Sequence, residues 1–295
     1  MTIAKLEGAP AGARWTTRIA MFAFVLLATV ILMHRFLGMA TPVFLALLLV
    51  AFALAATAIG IGVAAARGIW QRGGPGTARV VVGVLVAGGI LAWPLTALSL
   101  VRSLPEINDV TTSSASPPPF DALAAGRKGR ANGAAYPADR FATLQARSYP
   151  DITTMEINRP VGETYDLVLE AVRREGMSIA KDQPPSEDTG MVGAIEAIDR
   201  TLILGFYDDV ALRVAAGGEG ARVDIRSASR FGRHDLGRNA HRVRVLMRGI
   251  VARLESTVPG AVAPGRTAKS RPGLKSIERR RSEQGADRKK ASPRQ

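Results

Sequence analysis

The chain has no cysteine and only three histidines among its 295 residues. The first absence excludes disulfides, thiolate metal sites, a cysteine nucleophile and a lipidated cysteine anchor together. His34, His234 and His241 lie in unrelated contexts and form no ligand cluster, so no metal or cofactor is expected. Charge is missing too, but only locally. Ile19–Met33, Pro42–Ala66 and Val80–Val101 contain no Asp, Glu, Lys or Arg. Transporters and channels place ionisable groups along their path, so the three runs read as an anchor.

About 20 apolar residues cross a bilayer's hydrocarbon core as a helix. The second and third runs meet that length, and the first does so with Trp15–Arg18 and His34 at the interface. A cleaved signal peptide needs a small-x-small site behind its apolar run, and His34-Arg35-Phe36 stands there instead. Gly88-Gly89 and Pro94 predict a kink in the third helix. Gly60, Gly62 and Ala66 predict a small-residue stripe for close helix packing. Lys5, Arg14 and Arg18 precede the first run and Arg67, Arg72 and Arg79 fill the second loop, against Arg35 and Arg102 on the opposite side. The excess of Lys and Arg puts the N-terminus and second loop in the cytoplasm. Residues 1–18 are then a cytoplasmic N-terminus and 19–103 a three-helix anchor in the inner (cytoplasmic) membrane. The remainder is then expected to be extracytoplasmic.

The formal net charge of +14 invites a nucleic-acid reading, but its distribution opposes one. Residues 102–258 hold twenty-one basic and twenty-one acidic groups, whereas 259–295 hold eleven basic and three acidic. A nucleic-acid binder concentrates basic groups on its folded face, so that partner is disfavoured. The tail, 259–295, is too charged and too poor in apolar residues to order itself, apart from a weak helix near Ser276–Arg281. It is suited to salt-sensitive contact with an anionic lipid or polymer.

Residues 104–147 are rich in Pro, Gly and Ala and read as a linker, with Phe120, Tyr136 and Phe141 laying parts of it on the domain. Residues 148–258 read as a folded unit. A strand at Ile152–Ile157 precedes an amphipathic helix at Val161–Glu175, ended by Gly176. Strands follow at Met177–Lys181, Met191–Ile198, Leu202–Phe206, Val210–Ala215 and Ala221–Ser227. A last helix spans Leu236–Glu255 with Asp235 at its N-cap. The expected fold is therefore three transmembrane α-helices plus an α+β domain, an antiparallel sheet with flanking helices in a helix-grip-like arrangement.

Gly205–Asn239 is the most polar stretch and supplies the candidate site: Asp208, Asp209, Arg213, Asp224, Arg226, Ser227, Ser229, Arg230, Asp235 and Asn239. Alternation places Val210, Leu212 and Val214 on one face of a hairpin with Val223 and Ile225. Asp209, Ala211 and Arg213 share the other face with Arg222, Asp224 and Arg226. Keeping apolar residues opposite each other allows a register with Asp209 facing Arg226, or one with Arg213 facing Asp224. Such a ladder stabilises by roughly 0.2–1 kcal/mol per pair and needs no function. The same groups also suit a ligand or partner, since the fork of Arg226 or Arg230 matches carboxylate or phosphate. Both readings stand at this point.

Catalysis is less well supported. Ser178 and Lys181 match SxxK, but a strand puts them on opposite faces and no SDN or KTG follows. Asp208 and Asp209 point apart in a strand, which does not suit shared acid–base work. Ser229, His234 and Asp235 lack an accompanying oxyanion loop. The expected protein is a non-enzymatic, membrane-anchored binding domain. The alternatives are a structural scaffold of a membrane complex, or an envelope hydrolase using Asp208 or Asp209.

The runs LPEINDVTTSSASPPPF from Leu104, FYDDVALRV from Phe206 and VDIRSASRFGRHDLGRNAHRVRVL from Val223 resemble the bacterial domain-of-unknown-function family 1499 in its membrane-attached form. The resemblance spans roughly Leu104–Leu254 and is most specific in DIRSASR-x-G-x-x-D-x-G-x-N. It implies an envelope or membrane-associated protein and carries no established activity.

Overall fold

In a computed structural model of the chain, residues 11–127 and 129–257 are described. The expectations for residues 1–10 and for the basic tail lie outside them. Three helices come first: α1 (Ala11–Phe36), α2 (Thr41–Arg72) and α3 (Thr77–Ser103). Each is long and apolar enough to cross a membrane, with 26, 32 and 27 residues. The shortest spans ~39 Å at 1.5 Å per residue, beyond a hydrocarbon core of about 30 Å.

The bundle interior is made of small side chains, with Ala20, Ala23, Ala55, Ala58 and Ala87 buried around Ile90. Larger groups such as Phe22, Leu49 and Leu85 point outward. The three helices converge on buried Thr16, where a Cβ on Gly62 or Gly83 would stand 3.0 or 2.7 Å from its methyl group. Gly60 and Ala66, the other two members of the expected stripe, are exposed. Helix α3 continues through Pro94 without interruption.

The domain is an open, six-stranded antiparallel sheet in the order β1-β6-β5-β4-β3, with β2 also on β6. Its strands are β1 (Asp109–Thr111), β2 (Met155–Ile157), β3 (Ser178–Gln183), β4 (Gly193–Arg200), β5 (Tyr207–Gly217) and β6 (Gly220–Ser229). Helices α5 (Val161–Arg174) and α6 (Arg238–Ser256) cover one face, and α4 (Ala138–Ser148) packs beside them. The β5–β6 register sets Arg213 opposite Asp224 and Leu212 opposite Ile225. Of the two registers that alternation allowed, the chain adopts this one, and Val210, Leu212, Val214, Val223 and Ile225 enter the core with Val168, Val172, Val243, Leu246 and Ile250.

Three expectations are corrected. Residues 104–147 form more than a linker: Ile107, Val110 and Phe141 are core residues, because β1 pairs with β6 and α4 packs behind it. Leu202–Phe206 is a turn, not a strand. Thr201 closes it by donating its N–H to the Phe206 carbonyl at 2.9 Å and accepting the Phe206 N–H on its hydroxyl at 2.8 Å. Asp235 precedes α6 by more than one residue: Gly237 holds the cap position, and the Asp235 carboxylate accepts the N–H of Gly237 at 2.9 Å and of Asn239 at 2.7 Å.

The bundle and the domain are joined by packing as well as by the chain. Leu204 and Phe206 pack against buried Val30, Phe44 and Leu48. The His34 imidazole donates from Nδ1 to the Leu204 carbonyl at 2.6 Å and accepts from Thr41 Oγ1 at 3.0 Å. Arg35 reaches the Thr201 carbonyl at 3.1 Å, and Arg200 returns the contact to the carbonyls of His34 and Arg35. A second joint lies where α3 ends: His234 Nε2 bonds the Leu104 carbonyl at 3.1 Å, while its Nδ1 accepts the Leu236 N–H at 2.9 Å.

Gly205 makes the first joint sterically feasible. Its φ of +74° suits glycine, and an added Cβ would lie 3.2 Å from the Arg35 Cα. Gly205→Val is expected to strain this contact by about 1–3 kcal/mol. Amide exchange of the full chain in detergent should then rise in 201–206 and remain low in β5 and β6.

Candidate functional site

The ten candidate residues do not form one site; the alternation of β5 and β6 sends them to opposite faces of the sheet. Asp209, Arg213, Asp224, Arg226 and Arg230 lie on the face away from α5 and α6. Residues 113–127 and 129–137 cross that face as a strap, and Phe120 and Leu123 of it pack on Ala211 and Ala228. Helical and strand residues therefore bury one face, while a Pro/Gly-rich segment buries the other.

Each charge under the strap has a protein partner. Asp209 is fully buried between Arg127 Nε at 2.7 Å and the Arg230 fork, whose closest approach is 2.7 Å. Arg226 grips Asp109 through Nε and Nη2 at 3.0 and 2.7 Å, and gives further N–H groups to the carbonyls of Pro118 at 3.2 Å and Ala134 at 2.9 Å. Asp224 accepts from Arg213 at 2.6 Å, Arg222 at 3.3 Å and the Thr154 hydroxyl at 2.6 Å. Glu196, on β4, accepts the backbone N–H groups of Asp121, Ala122 and Leu123 at 3.0–3.1 Å, and so holds the short 3-10 turn at Leu123–Gly126. The Phe120 ring lies under both Arg127 and Arg226, 4.6 and 4.4 Å from ring centroid to guanidinium carbon. Cation–π attraction and charge-assisted hydrogen bonds thus act on the same groups.

Burial raises the Asp109 carboxyl above its ordinary range against the opposing pull of Arg226, and lowers the Arg127 guanidinium against Asp209. These directions reflect the cost of removing ions from water, which pairing offsets.

Asp208, Ser227, Ser229, Asp235 and Asn239 lie on the helix face, at the end of the sheet nearest the bundle. Arg242 of α6 organises them. It donates to Asp208 at 2.6 Å, Asp199 at 2.7 Å, Ser227 Oγ at 2.9 Å and Asn239 Oδ1 at 2.8 Å. The Asn239 amide in turn donates to the Asn108 carbonyl and Ser229 Oγ, each at 3.0 Å. Burial raises the Asp235 carboxyl although two backbone N–H groups pull the other way.

Asp109, Arg127, Glu196, Asp199 and Arg242 complete these networks and were missed as candidates. Glu196 had a signal, since it alternates with core residues Ile195 and Ala197 and so faces the strap. Asp109 and Arg127 lay in the presumed linker. Asp208 and Asp209, the hydrolase candidates, point to opposite faces and are each engaged by arginine.

Open space occurs beside the helix-face network. A groove of about 480 Å³ is lined by Glu175, Met177, Asp199, Leu236, Arg238, His241 and Arg242. Arg238 and His241 are exposed on its rim. A second, polar cavity of about 300 Å³ lies under the strap beside Asn108, Asp109, Arg127 and Asn132. Among the described residues, no group of three or more His, Cys, Asp or Glu is placed to hold a metal.

Fold and site together define an α+β domain carried on a bundle of three long apolar helices, its sheet closed on one side by helices and on the other by an arginine-anchored strap. Residues 109–250 match the family described as "Protein of unknown function (DUF1499)", and over that range the chain is similar to it. The matched range runs from the first residue of β1 into the last third of α6. No curated protein matches the chain.

Asp209→Asn leaves two arginines facing a neutral amide in a buried site. It is expected to cost about 3–5 kcal/mol, read as a lowered thermal midpoint of the full chain in detergent. A site that stored its charges for a ligand would lose affinity with its midpoint unchanged.

The Tyr136 hydroxyl is buried without a hydrogen-bond partner among the described residues, and burial, aided by Asp109, pushes its pKa up to about 12 from 10.0. A folded pKa raised in this way favours the folded state at pH below 10, and the contribution is lost as pH rises toward 12. Alkaline titration followed by tyrosinate absorbance should show a late step that Tyr136→Phe removes.

Proposed function

We propose that the protein is a membrane-anchored scaffold of the bacterial cell envelope. In this reading the bundle crosses the cytoplasmic membrane with its N-terminus inside, and the domain stands in the periplasm. One observation carries the scaffold reading: the Asp/Arg cluster is occupied by the protein's own groups. Asp209 and Arg226 are buried, and their hydrogen-bonding edges are directed to Arg127, Arg230, Asp109 and strap carbonyls. A ligand would have to displace these pairs at the cost of leaving a buried charge bare.

The two joints between domain and bundle support the same reading. A domain on a flexible tether samples many orientations; this one is seated on the helix ends through Arg200, Leu204, Phe206 and His234. It would present the groove beside α6 to a partner at a fixed height and angle above the bilayer. Neither Asp208 nor Asp209 is free to act as a base, which argues against a hydrolase.

The orientation follows from basic residues. Arg14, Arg18, Arg67, Arg72 and Arg79 gather at one end of the bundle, against Arg35 and Arg102 at the domain end. A topology reporter fused after Thr257 should read as extracytoplasmic. A cytoplasmic readout would overturn the envelope assignment and leave the anchor reading in place.

A further inference from the structure

We propose that the β4–β5 turn is a second membrane contact, with Leu202 and Ile203 seated among the acyl chains of the leaflet beneath the domain. Both are large and apolar, and 82% and 70% exposed, more than any other large apolar side chain in the domain. A turn tip ordinarily carries polar residues, because water is its neighbour. Here its neighbours in sequence are already at membrane depth. Leu204 and Phe206 pack against Val30, Phe44 and Leu48 on α1 and α2. Val30 lies five residues before Arg35, or ~8 Å along the helix, and Leu48 lies seven residues into α2, or ~10 Å.

The polar groups around the turn sit where a bilayer interface requires them. Arg35 and Arg200 flank it, with their guanidinium groups bonded to carbonyls at the end of α1 and in the turn itself. The remaining donors of these arginines suit lipid phosphates. Phe36 and Leu37, at the adjoining end of α1, are 72% and 75% exposed, which continues the apolar rim. The turn's own backbone is closed by Thr201, Gly205 and Phe206, so its tip can enter an apolar medium with fewer open hydrogen-bonding groups. The occupant is lipid rather than a protein partner, because the tip is continuous with the outward-facing apolar surface of the bundle.

This inference rests on the bundle crossing a bilayer, and the test separates the two. The chain has no cysteine, so single cysteines can carry a nitroxide label at one chosen position. The full chain would be reconstituted in phosphatidylcholine vesicles with the label at Ile203→Cys, Leu202→Cys, Leu85→Cys or Glu219→Cys. Leu85 is an outward-facing bundle residue, and Glu219 lies in the β5–β6 turn. Collision rates with oxygen, which partitions into hydrocarbon, and with a water-soluble nickel chelate are then compared. The expected result is an oxygen-to-nickel ratio at 203 and 202 close to that at 85 and several-fold above that at 219. A ratio at 203 and 202 matching that at 219, with 85 lipid-exposed, overturns the inference alone. Protection of 203 and 202 from both reagents also overturns it, since a protein would then cover the turn. A water-like ratio at 85 overturns the membrane-crossing reading beneath it.

Discussion

A carboxylate taken out of water needs cations or N–H donors arranged around it, and Asp209, fully buried on β5, sets that requirement at the centre of this domain. Its partners come from two directions. Arg230 follows directly from β6, whereas Arg127 belongs to the strap and reaches Asp209 only if that segment lies across the sheet. The approach is close enough that a Cβ on Gly126 would stand 2.8 Å from the Arg230 guanidinium. Asp109–Arg226 repeats the arrangement nearby, and Glu196 fixes the turn between Phe120 and Arg127. The pairs offset their own desolvation rather than add large net stability. Their effect is selective: a strap displaced from this path would leave Asp209 without Arg127, Arg226 without the Pro118 and Ala134 carbonyls, and Glu196 without its three backbone donors.

This dependence explains what could be read from sequence. The periodicity of Val210–Val214 and Val223–Ile225 identified the hairpin and its faces and narrowed its register to two, because side-chain alternation is local. The apolar runs identified the three long helices for the same reason. The choice between Asp209–Arg226 and Arg213–Asp224 came only with the structure. The strap was not legible as structure. Ser113–Phe120 and Gly126–Ala135 have linker composition, and what orders them is contact with charges some eighty residues away, such as Arg127 with Asp209. The division of the ten polar residues between two faces was half visible. Alternation separated Asp208 from Asp209, but nothing local showed that α6 would bring Arg242 to Asp208. The Leu202–Phe206 segment misled because its apolar residues match a buried strand, whereas the bundle takes two of them and leaves two outward.

The helix-face network serves a different purpose from the strap-face pairs. Arg242, Asn239, Ser227 and Asp208 occupy the end of the sheet nearest α3 and the α1–α2 connection. There the backbone of Asn108 is tied to Asn239, and the Leu104 carbonyl to His234. Only residues 104–108 separate α3 from β1, so the chain leaves the bundle and enters the sheet almost at once. The network therefore fixes the start of α6 and of β1 against the end of a long apolar helix. Together with the β4–β5 turn, this restrains the domain at two separate points, and two points resist rotation where one would permit it.

The richest concentration of charge is thus a poor guide to where this protein meets other molecules. Arg226 and Arg230 have the chemistry to recognise an anion, but the domain uses that chemistry on itself, and a fork already filled by Asp109 or Asp209 presents little to a partner. Recognition requires groups that face water and can exchange it for a ligand without baring a buried ion. Arg238 and His241, on the rim of the groove beside α6, meet that condition. They stand in the first turn of α6, four and seven residues after His234 of the joint with α3, so whatever they contact is held near the end of that helix by the same residues that fix the domain there.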